Sequence, residues 1–520
     1  MIAVRDTDRI PRRRLRGRVV MLGACGVLLT ALHVPPAAAP AAMQRAGADG
    51  TATDAAVSPE LRRYYQQELH WVPCPDSPPF QCTTVKVPLD YAHPDAGDIL
   101  LKATRKKATG NGARIGSLLV NPGGPGVSAV DFLAGTADGF SPAVRASYDL
   151  VAVDPRGVGE STPVDCETDI PATSMGFLPN LSADPAEIGA YDEAFKQVAT
   201  TCARDAGRLL PHVGTLDAAR DMDVLRALLG DDRLHYVGIS YGTYLGATYA
   251  DLFPSRVGRL VLDGAVDPTL DGYQHVLQVA AGYQTAWESF AADCASRTDC
   301  PLGHSVEEIS RGLDTLRSSL DRAPIQRGKD ISVTGEDLML AVTTALRDYL
   351  WEELRAALRG VLAGDTTALQ QLLGTEEDDS GNAIEALYAV NCLSSPTGPR
   401  FTPAQAQAAL PQFLRASPQF GESMGLLLMM CAHWPVPPAQ PAHPLTAPGA
   451  APILVVGTTR DPATPYPWAK ALARQLSSGR LLTYDADGHA AYRRGSTCID
   501  TAVDRYLTRG QLPPTGKVCT

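Results

Sequence analysis

The sequence lacks three features, and each absence excludes a class of protein. It has no excess of positive charge, since 57 acidic residues outnumber 46 lysines and arginines and give a formal net charge of −11. Nucleic acid is therefore not an expected partner, because neutralising phosphates requires a cationic face. It has no C-x-x-C pair, so no metal site is expected. Beyond residue 42 it has no apolar run long enough to span a bilayer.

What remains is the composition of an ordinary globular protein, with 520 residues that are 45% hydrophobic and 20% charged. This balance excludes disordered, collagenous and coiled-coil classes. The length predicts about two to four folding units, or one large α/β unit that carries an insertion.

Residues 1–42 differ in composition from the rest of the chain. Arginine-rich residues 5–18 precede an uncharged stretch at 19–34 and a segment rich in proline and alanine. This order is typical of a secretory signal peptide, and the uncharged stretch is shorter than the ~20 residues of a membrane span. We predict a secreted protein, extracellular or cell-wall associated, with no stable membrane insertion after removal of residues 1–42. Few apolar residues precede Cys25, which disfavours lipidation there, and twin-arginine export stays open.

Ten cysteines follow this segment, and an even number in an exported protein points to disulfides. Their short spacings favour pairing between neighbours in the sequence. The expected pairs are 74 with 82, 166 with 202, 294 with 300, 392 with 431, and 498 with 519.

Short aliphatic runs that end in loops rich in glycine, proline or aspartate predict buried parallel strands. Because helical patterns lie between these runs, the expected class is α/β, a mostly parallel sheet flanked by helices. Between residues 271 and 450 the strand runs stop and helical patterns replace them, including one over 343–362. We therefore predict a core formed by 43–270 and 451–520 with a helical cap at 271–450. The predicted strands are 117–120, 148–153, 234–237, 259–262, 453–456 and 480–484.

A nucleophile elbow is predicted at residues 238–242 (GISYG). This G-x-S-x-G pattern follows the strand at 234–237 and opens a helical pattern, and glycines flank Ser240 because the tight turn leaves no room for side chains. Residues 421–425 (GESMG) match the pattern too, but no strand precedes them. We therefore assign the nucleophile to Ser240 and not to Ser423.

A serine nucleophile needs a base and an acid, which in this arrangement follow it in the order serine, acid, histidine. His489 is the only histidine beyond residue 443. Asp461 follows the preceding strand and is expected to orient the imidazole of His489 while that base takes the proton of Ser240. Asp485 and Asp487 are rival acids, although their closeness to His489 in sequence makes the approach of a side chain awkward.

The oxyanion of an acyl-transfer intermediate needs two N–H donors. The main chain of Tyr241 is the expected first donor, because it directly follows the nucleophile. The loop at residues 121–126 (NPGGPG) is expected to supply the second. Pro125 has no N–H, so Gly124 is preferred, with Gly123 and Gly126 as alternatives.

No cofactor is expected. Residues 124–129 (GPGVSA) also fit a dinucleotide-binding pattern. However, Pro125 removes a donor where the pyrophosphate would bind, and exported proteins seldom meet nicotinamide cofactors.

Several motifs together are more specific than the elbow alone. They are residues 121–126 (NPGGPG), 154–161 (DPRGVGES), 238–246 (GISYGTYLG), 431–435 (CAHWP) and 461–465 (DPATP). With them the chain resembles, over about residues 60–515, the secreted tripeptidyl aminopeptidases of actinobacteria, which are α/β-hydrolase-fold serine exopeptidases related to prolyl iminopeptidases. The resemblance implies that fold, a helical cap that closes the cleft, and release of short peptides, typically tripeptides, from a free N-terminus. Thr464 belongs to the family's D-x-x-T-P pattern, which implies support of Asp461.

The resemblance leaves the recognition of the substrate open. Family members often carry an acidic residue two positions after the cysteine that matches Cys392, whereas this chain has Ser394 there. A cap carboxylate is expected to bind the free α-amine, and the sequence does not choose among Glu288, Glu385 and Glu422. An esterase or lipase with the same three site residues is the alternative function, and a non-catalytic binding protein of the same fold is a third.

Overall fold

The computed structural model describes residues 58–75, 77–166, 184–327, 331–374, 381–394, 398–438 and 440–520. The predicted signal peptide at 1–42 lies outside these residues. No helix in the described part of the chain is long and apolar enough to cross a membrane.

A ten-stranded sheet forms the core and contains all six strands predicted from sequence. Its strands follow the order β1-β2-β3-β5-β4-β6-β7-β10-β11-β12. The first four strands in that order pair antiparallel, and from β5 onward all neighbours are parallel. The strands are β1 Val72–Pro73, β2 Gln81–Pro88, β3 Asp98–Lys106, β4 Gly116–Asn121, β5 Tyr148–Val153, β6 Leu234–Ile239, β7 Val257–Asp263, β10 Ile453–Arg460, β11 Gly479–Asp487 and β12 Val518–Cys519, with β8 Ile325–Arg327 and β9 Ile331–Val333 in a separate hairpin.

Helices cover both faces of the sheet. They are α1 Arg62–Tyr65, α2 Ala129–Thr136, α3 Pro142–Ser147, α4 Pro185–Asp205, α5 Thr215–Leu228, α6 Tyr241–Leu252, α7 Gly272–Ala295, α8 Val306–Arg322, α9 Gly335–Asp348, α10 Trp351–Leu362, α11 Thr367–Leu373, α12 Ala383–Leu393, α13 Pro403–Ala416, α14 Gly421–Leu426, α15 Tyr466–Gln475 and α16 Thr497–Arg509.

The parallel strands are apolar along their length because each is buried on both faces. In β4, Leu118 and Val120 join a cluster with α2, α3 and α16, whereas Leu119 between them joins the cluster that contains residues of α5 and α6. Successive side chains of a strand point to opposite faces, so a sheet covered on both sides needs apolar residues at every position.

Two details of the region at 271–450 differ from expectation. It contains the β8–β9 hairpin, whose three-residue strands are too short to produce a recognisable run. The single helix predicted over 343–362 is two helices, because Tyr349 adopts a left-handed conformation with φ 59° and ends α9. We call residues 271–450 the cap region, and its division from the core stays a prediction.

The ten described cysteines form the five disulfides predicted from their spacing. Each bond closes a loop and thereby restricts the unfolded chain. The pairs are Cys74–Cys82, Cys166–Cys202, Cys294–Cys300, Cys392–Cys431 and Cys498–Cys519.

A buried ion pair fixes the loop of the 154–161 motif. The guanidinium of Arg156 is fully buried and donates to both carboxylate oxygens of Asp221 over 2.7 Å. It also donates to the main-chain carbonyls of Leu89 and His212, and the hydroxyl of Tyr91 donates to Asp221. Arg156 therefore joins the loop after β5 to the residue that follows β2, to the turn before α5 and to α5 itself.

Replacing Arg156 with leucine is expected to lower the free energy of unfolding by about 3–5 kcal/mol, because the carboxylate of Asp221 would stay buried without its partner. Urea denaturation followed by circular dichroism measures this change. Arg220→Leu is the matched control, since the side chain of Arg220 is partly exposed in its pair with Asp217 and its loss should cost less than about 1 kcal/mol. Equal destabilisation by both substitutions would contradict the role given to Arg156.

Candidate active site

Ser240 lies in a sharp turn between β6 and α6. Its φ is 57°, a conformation that non-glycine residues seldom adopt. A Cβ on Gly238 would lie 2.3 Å from the carbonyl oxygen of Gly242, and one on Gly242 would lie 2.8 Å from that of Asn121. Both flanking positions therefore require glycine, which is the geometry of a strand-to-helix elbow.

His489 and Asp461 are joined by their side chains. Nδ1 of His489 lies 2.9 and 3.0 Å from the two carboxylate oxygens of Asp461. This buried carboxylate also accepts from the N–H groups of Ala463, Thr464 and Ala490, and from Oγ1 of Thr464 over 3.0 Å. The carboxylate beside Nδ1 favours the tautomer with the proton there, which leaves Nε2 to exchange protons.

The two rival acids have another partner. Asp487 and Asp485 each accept from the guanidinium of Arg460 over 2.9 Å. Asp485 also accepts from the hydroxyl of Thr459. In the described contacts it is Asp461, and neither rival, that pairs with His489.

A second buried carboxylate supports the histidine loop and was missed by sequence reasoning. Asp263, the last residue of β7, accepts from the N–H groups of Ala491 and Tyr492, the latter over 2.8 Å. Burial raises the pKa of Asp263 to about 6. A Cβ on the next residue, Gly264, would lie 3.1 Å from the imidazole of His489. An aspartate followed by glycine at the end of a predicted strand was the available signal.

The glycine-rich loop touches the elbow. A Cβ on Gly123 would lie 3.0 Å from both the main-chain nitrogen of Tyr241 and Cβ of Ser240. Tyr241 is the first residue of α6, so its N–H is among those that have no partner within the helix. The N–H of Gly123 donates to Oδ1 of Asn121, whereas that of Gly124 has no hydrogen bond among the described residues.

Ser394, at the position where the family resemblance led us to expect an acidic residue, is buried. Its hydroxyl lies 2.7 Å from that of Thr215, which lies 2.8 Å from the hydroxyl of Tyr241. Ser394 therefore belongs to a network that fixes the side chain of Tyr241, and it does not line the cavity at the elbow.

A cavity of about 640 Å³ opens above the elbow. Asp461 lies behind His489, and five of the residues predicted for catalysis, oxyanion binding or support line this cavity. They are Ser240, Tyr241, Gly124, Thr464 and His489. The rest of the lining is mostly apolar and comes from both core and cap region, so the structure brings together residues from distant parts of the sequence.

None of the three glutamates proposed to bind an α-amine lines this cavity. Glu288 is exposed, and Glu422 pairs with Arg317. Asp348, at the end of α9, is the carboxylate that lines the cavity among the described residues. No signal in the sequence pointed to Asp348, because its position depends on the break between α9 and α10.

The cap region also contacts the histidine loop directly. The N–H of His489 donates to the main-chain carbonyl of Arg347 over 2.7 Å. Arg494, a few residues further along the loop, donates to the carbonyl of Asp348 over 2.6 Å. The end of α9 is thus joined by hydrogen bonds to the loop that carries the imidazole.

No group of histidine, cysteine or acidic side chains in the described residues could hold a metal ion. The expectation of no metal rests on the sequence, and nothing in the site geometry requires one.

Comparison with known proteins identifies close relatives. A family model described as TAP-like protein matches residues 417–519. Serine protease Hip1 of Mycobacterium tuberculosis is 35% identical over 479 residues, which cover 87% of this chain and 91% of the relative. Carboxylesterase B of the same species is 36% identical over 452 residues, with coverage of 84% and 86%. Tripeptidyl aminopeptidase of Streptomyces lividans is 32% identical over 539 residues, with coverage of 97% and 98%.

These matches extend along most of the length of each relative. They confirm the resemblance drawn from the motifs, and the sheet order confirms the fold class. The chain belongs to the tripeptidyl aminopeptidase family of α/β-hydrolase-fold serine hydrolases.

Proposed function

We propose that this enzyme is a secreted serine exopeptidase that releases short peptides, in particular tripeptides, from the free N-terminus of its substrates. One observation carries the proposal: Ser240 and His489 line the same cavity. Ser240 lies there in a strained elbow, and His489 is paired with the buried Asp461. The relatives named tripeptidyl aminopeptidase and serine protease support a peptide as substrate.

In the proposed mechanism, Nε2 of His489 takes the proton of Ser240 as its Oγ attacks the carbonyl carbon of the scissile bond. Asp461 stabilises the imidazolium, and the N–H groups of Tyr241 and Gly124 stabilise the oxyanion. The carbon–nitrogen bond then breaks as His489 gives the proton to the leaving amine. Water attacks the acyl-enzyme by the same route and releases the N-terminal peptide.

Three features of the chain support the finer parts of the proposal. A cavity of about 640 Å³ lies within the range of small-molecule sites and suits a short peptide segment. Asp348 supplies a negative charge in this cavity for an α-ammonium group. The five disulfides are typical of an exported protein and support secretion.

The test uses tripeptide p-nitroanilides with free and with acetylated N-termini, together with p-nitrophenyl esters. We expect fast release of p-nitroaniline from the free tripeptides only. Equal turnover of free and blocked peptides would contradict an exopeptidase. Turnover of esters without any cleavage of peptides would favour an esterase, the second candidate, which the relative named Carboxylesterase B supports.

Asp348→Asn is expected to raise KM for a free tripeptide p-nitroanilide by about tenfold, because an ammonium group would lose one charged partner. Asp348 already accepts from Arg347 over 3.1 and 2.9 Å, and a carboxylate has further lone pairs for an amine. Initial-rate kinetics measure the change. Glu288→Gln removes an exposed cap carboxylate outside the cavity and should leave KM unchanged, so an equal effect of both substitutions would contradict the role of Asp348.

A further inference from the structure

His275 lies on the first helix of the cap region and lines the cavity that Ser240 lines. Its helix, α7, packs closely against the loop that carries Asp461, since a Cβ on Gly282 would lie 2.6 Å from the carbonyl oxygen of Pro462. This close packing fixes the helix relative to the core, and with it the position of His275.

The imidazole of His275 has no hydrogen-bond partner in the described part of the chain. Nδ1 is buried and unpaired, and Nε2 makes no hydrogen bond either. Buried polar groups in native proteins are nearly always paired, so an unpaired one calls for a ligand or another explanation. A ligand in the cavity that the ring lines can be the partner only of the nitrogen that faces this cavity.

The ring is held in one orientation. It lies against the indole of Trp468, with ring centroids 4.6 Å apart and an angle of 34° between the planes. The indole itself is fixed, because its Nε1 donates to Oε1 of Gln278 over 2.7 Å. Since Nδ1 has almost no accessible surface, the edge of the imidazole that lines the cavity is the opposite one, which carries Nε2.

The imidazole is neutral under ordinary conditions, because burial lowers the pKa of His275 to about 4. A neutral imidazole has one N–H donor and one acceptor nitrogen. A proton on Nε2 places the donor at the cavity and leaves only a lone pair at the buried Nδ1. The opposite tautomer would bury an unpaired N–H, which native structures rarely do.

We propose that His275 is a substrate-binding residue whose Nε2–H donates to a main-chain carbonyl of the bound peptide, on the acyl side of the scissile bond. This inference rests on the proposed peptidase function. Because the surrounding cavity is mostly apolar, a fixed donor there would orient an extended peptide, as the few polar groups of such cavities commonly do.

His275→Phe keeps a flat ring against Trp468 and removes the donor, and His275→Gln restores an N–H donor at a similar reach. For a free tripeptide p-nitroanilide we expect His275→Phe to lower kcat/KM about tenfold, mainly through KM, and His275→Gln to recover part of the loss. The effect on p-nitrophenyl acetate should be much smaller, because its acyl group has no carbonyl besides the reacting one. His70→Phe, an exposed histidine outside the cavity, is the control for the histidine-to-phenylalanine change.

Labelling by a fluorophosphonate confirms that each variant is folded with a reactive nucleophile. An unchanged KM for the tripeptide in His275→Phe, equal losses on both substrates, or no recovery in His275→Gln would each overturn the inference. A parent enzyme that cleaves no peptide would instead refute the proposed function, so the two failures are distinguishable.

Discussion

Ser240→Ala is expected to lower kcat on any cleaved substrate by about 10⁴-fold or more and to abolish labelling by a fluorophosphonate. The reason is that no other hydroxyl can replace one carried by a strained elbow at the cavity. Steady-state kinetics and gel-based labelling measure the two effects. The fold should persist, because the elbow requires glycine at the flanking positions 238 and 242 and not a particular side chain between them.

The chain offers a matched control for this experiment. Ser423 lies in a second G-x-S-x-G pattern, but it is a residue of the short helix α14 and does not line the cavity. Ser423→Ala should retain labelling and turnover. Loss of labelling in Ser423→Ala, or its persistence in Ser240→Ala, would show that the nucleophile has been assigned wrongly.

Asp461→Asn is expected to lower kcat by about 10³- to 10⁴-fold. Asparagine keeps the size of the side chain but loses the charge that stabilises an imidazolium, and its amide favours the wrong tautomer of His489. The loss should appear in kcat more than in KM, because Asp461 does not line the cavity.

Asp485→Asn is the control, since Asp485 is an acid close to His489 in sequence but pairs with Arg460 instead. An exposed ion pair of this kind contributes little to stability, so activity should stay near that of the parent. If Asp485→Asn were as damaging as Asp461→Asn, the acid assigned to His489 would be the wrong one.

The elements that sequence predicted best are those whose signal is local. The parallel strands are continuous apolar runs because they are buried on both faces, and Ser240 is flanked by glycines that the turn itself requires. The antiparallel strands β2 and β3 were missed because exposed residues interrupt them, such as Thr84 and Lys86 in β2. A search for continuous runs does not detect such strands.

The cavity lining depends on how distant segments pack, and that part was not predictable. Asp348 lies at the cavity because Tyr349 breaks a helical pattern that sequence predicted as continuous. His275 lies there because α7 packs on the loop of Asp461. Neither residue belongs to a motif, so no local pattern marked its place at the cavity.

The hydrogen bond from the N–H of His489 to the carbonyl of Arg347 has a consequence for how the cleft opens. If α9 swings outward to admit a long chain, this bond breaks and the imidazole loses one of its anchors. Admission of substrate and proton transfer would then require different positions of the same helix. An enzyme arranged in this way would transfer protons only with α9 in the closed position, where the acyl intermediate is shielded from bulk solvent.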